Sequence, residues 1–273
     1  MFATGHKVTS FQWINTYLSS IMNEYKGISY SIFPIKSCGE VRFPRIADFL
    51  QMKKWDRNWM LIDDKNQFLT QREIPALNIL KTKLADDGFH IYEPEKIHEG
   101  IKINFDSTES QTLISKIWAS EVQVYLESKE LSNWFSEKFH KSIRLVRAIQ
   151  GERKKTIASK NIELDLAFED GYPVHLINVK SFAELKDRIH DNLFIEQFRA
   201  SIIYDGNKPY SEDLEEEFLV DGVHFRKVKA CVRCIMINLP PESDHFLKEP
   251  LKTLSSYRNF GNSVHFGIYA FQV

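Results

Sequence analysis

Short β-rich runs separated by turn residues constrain the fold of this chain more than any other feature. Residues 59–63 and 68–71 flank a polar turn, which predicts a hairpin. Residues 80–85 and 89–92 flank Asp86-Asp87-Gly88, a stronger turn signal that predicts a second hairpin. Further strand candidates are residues 28–33, 143–146, 174–179, 201–204, 223–228 and 231–239. Because strands outnumber helices, we expect a strand-dominated mixed α/β fold with a barrel-like sheet rather than a doubly wound one.

Three segments have helical patterns. In residues 9–26 the apolar side chains recur at helical spacing and Gly27 provides a stop, which predicts an amphipathic helix that covers its own domain. A second helix is expected to begin near Ser128. A capping box at residues 181–184 predicts a third helix, which would extend to about Ile189. These helices are inserted between strands and do not change the expected fold class.

Composition excludes several classes of protein. The chain has 273 residues, 43% of them hydrophobic, which supports a packed core of one large domain or two small ones. A formal net charge of -1 gives no general attraction to nucleic acid. No apolar run reaches the roughly 18 residues of a spanning helix, and no secretory signal is visible. Three cysteines are too few for a disulfide framework. We therefore expect a cytoplasmic protein without an integral membrane segment or a nucleic-acid partner.

Cys231 and Cys234 form a C-x-x-C pair whose meaning the spacing leaves open. A zinc site would need more ligands, but Cys38 is the other cysteine and no histidine pair has ligand spacing. A thioredoxin-type dithiol usually lies where a strand turns into a helix, whereas residues 235–239 resemble a continuing strand. Two buried structural thiols remain an alternative. Arg233 and the basic residues upstream would stabilise a thiolate suited to a soft metal, or would simply form a solvated strand face.

An ordered set of short segments carries a family resemblance. The segments are FPIKSC (33–38), WDRNW (55–59), TQRE (70–73), DGYP (170–173), SFAEL (181–185), FR (198–199), CVRC (231–234), PLKTL (250–254) and YR (257–258). In order and spacing they resemble the MOSC family, the molybdenum-cofactor sulfurase C-terminal-like proteins. The match is especially close to the subgroup of the mitochondrial amidoxime-reducing component and its bacterial relatives. The resemblance implies a MOSC β-barrel core with inserted helices and an N-terminal β-barrel-like domain.

The resemblance also implies a site. The second cysteine of the C-x-x-C would coordinate molybdenum, which here is Cys234, and the cofactor would be a Mo-molybdopterin. The cofactor-binding residues would be Lys36, Ser37, Arg57, Gly171, Tyr172, Arg199, Ser201, Arg233 and Cys234. Lys36 and Arg57 could hold the phosphate by charge-assisted hydrogen bonds. Ser201 stands where many members carry asparagine. Pyridoxal phosphate is not expected.

The implied activity is that of a molybdenum-dependent oxidoreductase that reduces N-hydroxylated small molecules. Its electrons would come from a separate donor protein, such as a flavin reductase or a cytochrome-type or ferredoxin-like protein. No appended iron–sulfur domain and no hydrophobic anchor are expected. No side chain is identified as a general acid. The alternative is a non-catalytic cofactor carrier or sulfur-relay module, since a C-x-x-C could carry a persulfide.

The resemblance further suggests how the chain is divided. We expect an N-terminal amphipathic helix extension over residues 1–27, a MOSC N-terminal β-barrel domain over 28–105, and a MOSC domain over 106–273. Residues 266–273 are expected to lack the terminal glycine-containing strand of many members.

Overall fold

A computed structural model describes residues 23–273 of the chain. Its strands are β1 (Glu24–Ile32), β2 (Val41–Phe43), β3 (Trp59–Ile62), β4 (Phe68–Leu69), β5 (Lys81–Ala85), β6 (Gly88–Tyr92), β7 (Ile101–Asn104), β8 (Thr112–Ile117), β9 (Ser120–Leu126), β10 (Arg144–Ala148), β11 (Arg153–Ile157), β12 (Ile162–Leu166), β13 (Val174–Asn178), β14 (Ile202–Asp205), β15 (Glu217–Val220), β16 (Val223–Val232), β17 (Asn259–Phe260) and β18 (Ser263–Gln272). Its α-helices are α1 (Ile46–Met52), α2 (Lys129–Phe139), α3 (Val179–Asp187) and α4 (Leu251–Tyr257), and short 3-10 turns lie between them. In this part of the chain no helix is long and apolar enough to cross a membrane.

Six strands close into a barrel. They follow the order β13-β14-β1-β15-β16-β18, and β18 pairs back with β13. β1 is antiparallel to β14 and parallel to β15, so an early strand completes a barrel whose other five strands all lie after residue 173. Closure leaves no unpaired edge between these strands. The strand-dominated mixed fold with a barrel core, expected from the sequence, is confirmed.

Aromatic side chains fill much of this barrel. The Tyr25 and Tyr204 ring centroids lie 5.1 Å apart, and Phe218 lies 5.8 Å from Tyr204. All three residues are buried and belong to the main hydrophobic core. Rings at these separations and tilted angles stabilise a core beyond the area that they bury. The barrel therefore forms a rigid support for the loops that adjoin its strands.

A second sheet has the order β4-β3-β10-β9-β8, and a smaller one has the order β5-β6-β7. Both predicted hairpins are present, as the antiparallel pairs β3–β4 and β5–β6. Helix α2 begins after Ser128, whose side chain accepts a hydrogen bond from the backbone N–H of Leu131, as the sequence predicts. The second sheet pairs β3 with β10, so it takes strands from both sides of the division expected at residue 105.

The amphipathic helix expected over residues 9–26 falls mostly outside the described residues. Its last three positions are in β1, because Glu24 and Tyr25 pair with Leu219 and Val220 of β15. The helical interpretation of residues 24–26 was therefore wrong. Tyr25 has the spacing of a helical apolar face, but its ring belongs to the barrel core.

Three further expectations were wrong. The strand expected over residues 231–239 ends at Val232, and a 3-10 turn, Ile235–Asn238, follows. The cap of α3 is the Asn178 side chain, because Ser181 instead donates a hydrogen bond to Glu212. The chain also ends in a long glycine-containing strand: β18 includes Gly267, at φ 72°, where an added Cβ would lie 2.7–3.0 Å from β13.

Candidate functional site

One cavity gathers side chains from loops that adjoin four barrel strands and from the second sheet. It is lined by Lys36, Ser37, Arg57, Thr70, Gln71, Arg72, Glu169, Asp170, Tyr172, His175, Gln197, Phe198, Arg199, Ser201, Arg233, Cys234, Met236, Ile237 and Tyr269. Eight of the nine residues predicted to bind a cofactor line this cavity. The ninth, Gly171, lies between two lining residues. Positions up to about 200 residues apart in the sequence are therefore brought together.

Three of these residues have left-handed backbone conformations. The φ angles are 71° at Ser37, 50° at Arg57 and 52° at Arg199. Non-glycine residues rarely adopt such angles, and each costs about 1 kcal/mol or more. Backbone strain of this kind is concentrated at functional sites, and here it sets the directions of two arginines.

Lys36 is a buried cation. Its Nζ donates a hydrogen bond to the Phe168 carbonyl oxygen at 3.0 Å and forms an ion pair with Asp170. Burial lowers the pKa of Lys36, and the Asp170 carboxylate opposes that change. Burial raises the pKa of Asp170, but the Lys36 charge and hydrogen bond, together with Arg57 and Arg199, outweigh burial and hold the pKa at about 2. Each group therefore stabilises the charged form of the other.

Arg57 and Arg199 both lie against the ring of Phe33. Their guanidinium carbons are 4.3 Å and 4.1 Å from its centroid, distances typical of cation–π contacts. Arg57 forms an ion pair with Asp56. No side chain or carbonyl within residues 23–273 accepts a hydrogen bond from the Arg199 guanidinium, and burial, reinforced by Arg57, lowers its pKa to about 10. A half-buried, unpaired guanidinium facing a cavity favours an anionic ligand.

The two cysteines have different surroundings. Cys231 is buried in β16, and Arg233 Nη1 donates to its Sγ at 2.9 Å. Cys234 is exposed at the start of the 3-10 turn, and the arginine that contacts its Sγ, at 3.3 Å, is Arg72. The sequence predicted that Arg233 would stabilise a metal-binding thiolate. In the structure Arg233 contacts the other thiol, and Arg72 takes the place beside Cys234.

Arg233 also contacts two other segments of the cavity wall. Its Nη2 donates to the Phe198 carbonyl oxygen at 3.0 Å, and Nη1 lies 3.4 Å from His175 Nε2. Burial lowers the pKa of His175 well below its usual value, and the Arg233 charge lowers it further, so this imidazole is neutral at physiological pH. Among the described residues, no partner bonds the buried Nε of Arg233.

The remaining predicted residues have modest contacts. The Ser201 hydroxyl accepts a hydrogen bond from the His175 backbone N–H at 3.2 Å, so it joins two strands. The Tyr172 ring lies 5.3 Å from that of Tyr269 and 5.5 Å from Lys229 Nζ. A Cβ added to Gly171 would meet nothing within 4 Å, so no close contact within the protein requires glycine there.

Sequence reasoning missed several lining residues. Arg72 and Asp170 lie inside segments that carried the family resemblance. Their positions could have identified them as site residues, but no role was predicted for either. Glu169 precedes Asp170, and nothing in the sequence marked it; burial, together with the Asp56 carboxylate, raises its pKa to about 7. His175 and Tyr269 lie within strands and gave no signal.

The cavity holds no ready-made metal site. No group of three or more His, Cys, Asp or Glu side chains that could hold a metal occurs in the described part of the chain. A metal bound beside Cys234 would therefore take most of its ligands from a cofactor. The convergence of cations with one exposed thiol fits an anionic cofactor that carries a sulfur-seeking metal.

Comparison with known proteins assigns the chain to a family. Residues 28–142 match the MOSC N-terminal beta barrel domain, and residues 163–273 match the MOSC domain. The chain is 27% identical over 240 residues to mitochondrial amidoxime reducing component 2 of Rattus norvegicus, covering 83% of this chain and 70% of that protein. It is 29% identical over 258 residues to its counterpart from Bos taurus, covering 87% and 76%.

A second kind of relative is longer. The chain is 27% identical over 266 residues to the molybdenum cofactor sulfurase of Arabidopsis thaliana, covering 88% of this chain but 32% of that protein. It therefore spans about a third of the plant sulfurase. A solution structure of a Bordetella bronchiseptica protein aligns at a TM-score of 0.35 and 17% identity, over 43% of this chain and 86% of that one. With both domain matches in sequence order, the chain belongs to the MOSC family, and its named relatives are amidoxime-reducing components and molybdenum cofactor sulfurases.

Proposed function

We propose that the cavity binds a molybdenum cofactor through Cys234 and that the protein is an oxidoreductase for N-hydroxylated compounds. One observation carries the proposal: the exposed Cys234 thiol opens into the same cavity as Arg199, a guanidinium with no acceptor among the described residues. A thiol ligand and an uncompensated cation are the two features that an anionic, metal-bearing cofactor needs from a protein.

Three cations of the cavity would bind the phosphate of the cofactor. Lys36, Arg57 and Arg199 lie on loops next to β1, β3 and β14, and together they would hold the phosphate of the cofactor by charge-assisted hydrogen bonds. Asp170 keeps Lys36 in place until an anion arrives. These residues act as a preformed site, because their left-handed or buried conformations are fixed by the fold.

The surroundings of Cys234 suit a metal ligand. The Arg72 guanidinium lies 3.3 Å from Sγ, so a positive charge adjoins the sulfur that would bind the metal. When bound, the cofactor would supply two-electron chemistry at molybdenum, which the protein's own side chains lack. The Arg233–Cys231 contact would hold the neighbouring strand end in position, so that Cys234 faces the cavity.

The substrate class and the source of electrons are inferred from the relatives. Two of them are named for the reduction of amidoximes, which are N-hydroxylated compounds. We therefore assign small N-hydroxylated molecules as substrates. The electrons would come from a separate protein, such as a flavin reductase or a cytochrome-type or ferredoxin-like protein.

Metal content tests the proposal most directly. Protein purified from a host that makes molybdenum cofactor should contain molybdenum and pterin in near-equal amounts with the chain. Cys234→Ala should lose the molybdenum, whereas the matched variant Cys231→Ala should keep it. Loss of molybdenum from Cys231→Ala but not from Cys234→Ala would contradict the ligand assignment.

Similarity to the plant sulfurase favours a second candidate, a non-catalytic cofactor carrier or sulfur-relay module. Turnover separates the two functions. The reductase should convert benzamidoxime to benzamidine with reduced methyl viologen as electron donor, and Cys234→Ala should abolish that turnover. Bound molybdenum without conversion of any N-hydroxylated compound would favour the carrier.

A further inference from the structure

Glu169 lies where the cofactor cavity meets a second cleft. It belongs to the loop between β12 and β13, and its side chain lines both spaces. The second cleft is wide, and its lining includes the polar residues Lys53, Asn58, Arg147 and Asp165. The Glu169 carboxyl is thus part of the wall between a candidate reaction site and a solvent-facing surface.

One oxygen of the Glu169 carboxyl has no partner within residues 23–273. Its Oε2 is buried and has no hydrogen-bond partner among the described residues. The neighbouring carboxylates differ: Asp170 is paired with Lys36, and Asp56 is bonded by Arg57 and by the Phe33 backbone N–H. A buried polar atom without a partner costs free energy, so such an atom in a cavity wall points to a role that folding does not explain.

Charged groups from several neighbouring segments lie near Glu169. They are Lys53 after α1, Asp56 and Arg57 before β3, Arg153 in β11, and the adjacent Asp170. Burial, and then the Asp56 carboxylate, raise the pKa of Glu169 to about 7, while Arg57 opposes them. A group with a pKa near the working pH can both give and regain a proton, as a general acid must.

We propose that Glu169 is the proton relay of the reductase, passing protons from water in the second cleft to the substrate in the cofactor cavity. The inference rests on the proposed function. In the reaction the N–O bond breaks, two electrons enter from the donor protein, and two protons are taken up. The products are the N–H compound and water. Glu169 gives a proton to the substrate and regains one from the cleft before giving the second.

The dependence of kcat on pH tests the relay. With benzamidoxime and reduced methyl viologen, wild-type kcat should fall as the pH rises through about 7, because the carboxyl must be protonated to donate. Glu169→Gln should lower kcat by about 100-fold and remove that pH dependence, with KM and molybdenum content unchanged. Glu169→Asp should restore part of the rate and the pH dependence.

A matched control lies nearby. Glu163 in β12 is an exposed glutamate paired with Lys154, and Glu163→Gln should behave as wild type. Independently of activity, infrared difference spectra of the cofactor-free protein should show one carboxyl that titrates near pH 7 and is missing in Glu169→Gln.

The outcomes separate the two proposals. If the wild-type protein binds no molybdenum, the proposed function is refuted, and so is the proton relay that depends on it. Molybdenum-loaded, active wild type whose Glu169→Gln variant keeps both the rate and the pH dependence refutes the relay alone. The relay is also refuted if no carboxyl assigned to Glu169 titrates near neutral pH.

Discussion

Two arginine–thiol pairs, whose cysteines lie three residues apart in sequence, differ in burial and in the partners of their arginines. In the inner pair, Arg233 and Cys231, the thiol is buried and the guanidinium also donates to the Phe198 carbonyl oxygen. In the outer pair, Arg72 and Cys234, both residues are exposed at the cavity. The inner pair makes its contacts within the protein, whereas the outer pair leaves a thiol free to bind something else.

The same contrast separates two other cavity cations. Lys36 has a carboxylate and a carbonyl as partners, whereas Arg199 has no acceptor among the described residues. A buried charge without a partner destabilises the folded protein, so its presence suggests a ligand that compensates for it. Arg199 is therefore the cation for which a bound anion would supply the missing partner, whereas Lys36 already has partners within the protein.

The largest expected difference between the inner and outer pairs is in the rate at which their thiols are alkylated. In the cofactor-free protein, iodoacetamide should label Cys234 at least about 100-fold faster than Cys231, because the thiolate must be accessible to react. Cys38 should also resist labelling, since burial raises its pKa to about 12. Peptide mapping by mass spectrometry measures the three rates. Equal labelling of Cys231 and Cys234 would show that the inner pair is not closed to solvent.

Loss of each arginine should affect stability differently. Arg233→Ala should lower the free energy of unfolding of the cofactor-free protein by about 2–3 kcal/mol, because it leaves the Cys231 thiol and the Phe198 carbonyl without a donor. Arg72→Ala, the matched control, should change it by less than about 0.5 kcal/mol, since the side chain is exposed. Urea denaturation measures both. Similar losses in the two variants would remove the distinction between the pairs.

How far the sequence predicted this arrangement depends on the distance along the chain. The hairpins β3–β4 and β5–β6 were predictable because their turns are local. Closure of the barrel by β1 was not predictable, since its barrel partners β14 and β15 lie more than 170 residues away. The cap of α3 was also missed, because Ser181 has a tertiary partner, Glu212, that outcompetes its local role.

The candidate site follows the same division. The family segments located most of the lining residues, including Cys234 and Arg199. They could not show that Arg72 would contact Cys234, because 162 residues separate the two and periodicity carries no information over that distance. The sequence favoured Arg233 for this place, but its guanidinium donates to Cys231 and to the Phe198 carbonyl oxygen. The residue roles drawn from the resemblance remain predictions.

Replacement of Arg199 should change stability by a small amount and in the opposite direction to replacement of Arg233. Arg199→Met should raise the free energy of unfolding of the cofactor-free protein by about 1 kcal/mol, because a side chain of similar length replaces a charge without a partner. The same variant should lose molybdenum cofactor, whereas Arg199→Lys, which keeps the charge, should retain part of it. Denaturation and molybdenum content are measured on the same preparations. If Arg199→Met is destabilised as much as Arg233→Ala, Arg199 has a structural role. Replacing a residue that is kept for ligand binding should instead stabilise the cofactor-free protein.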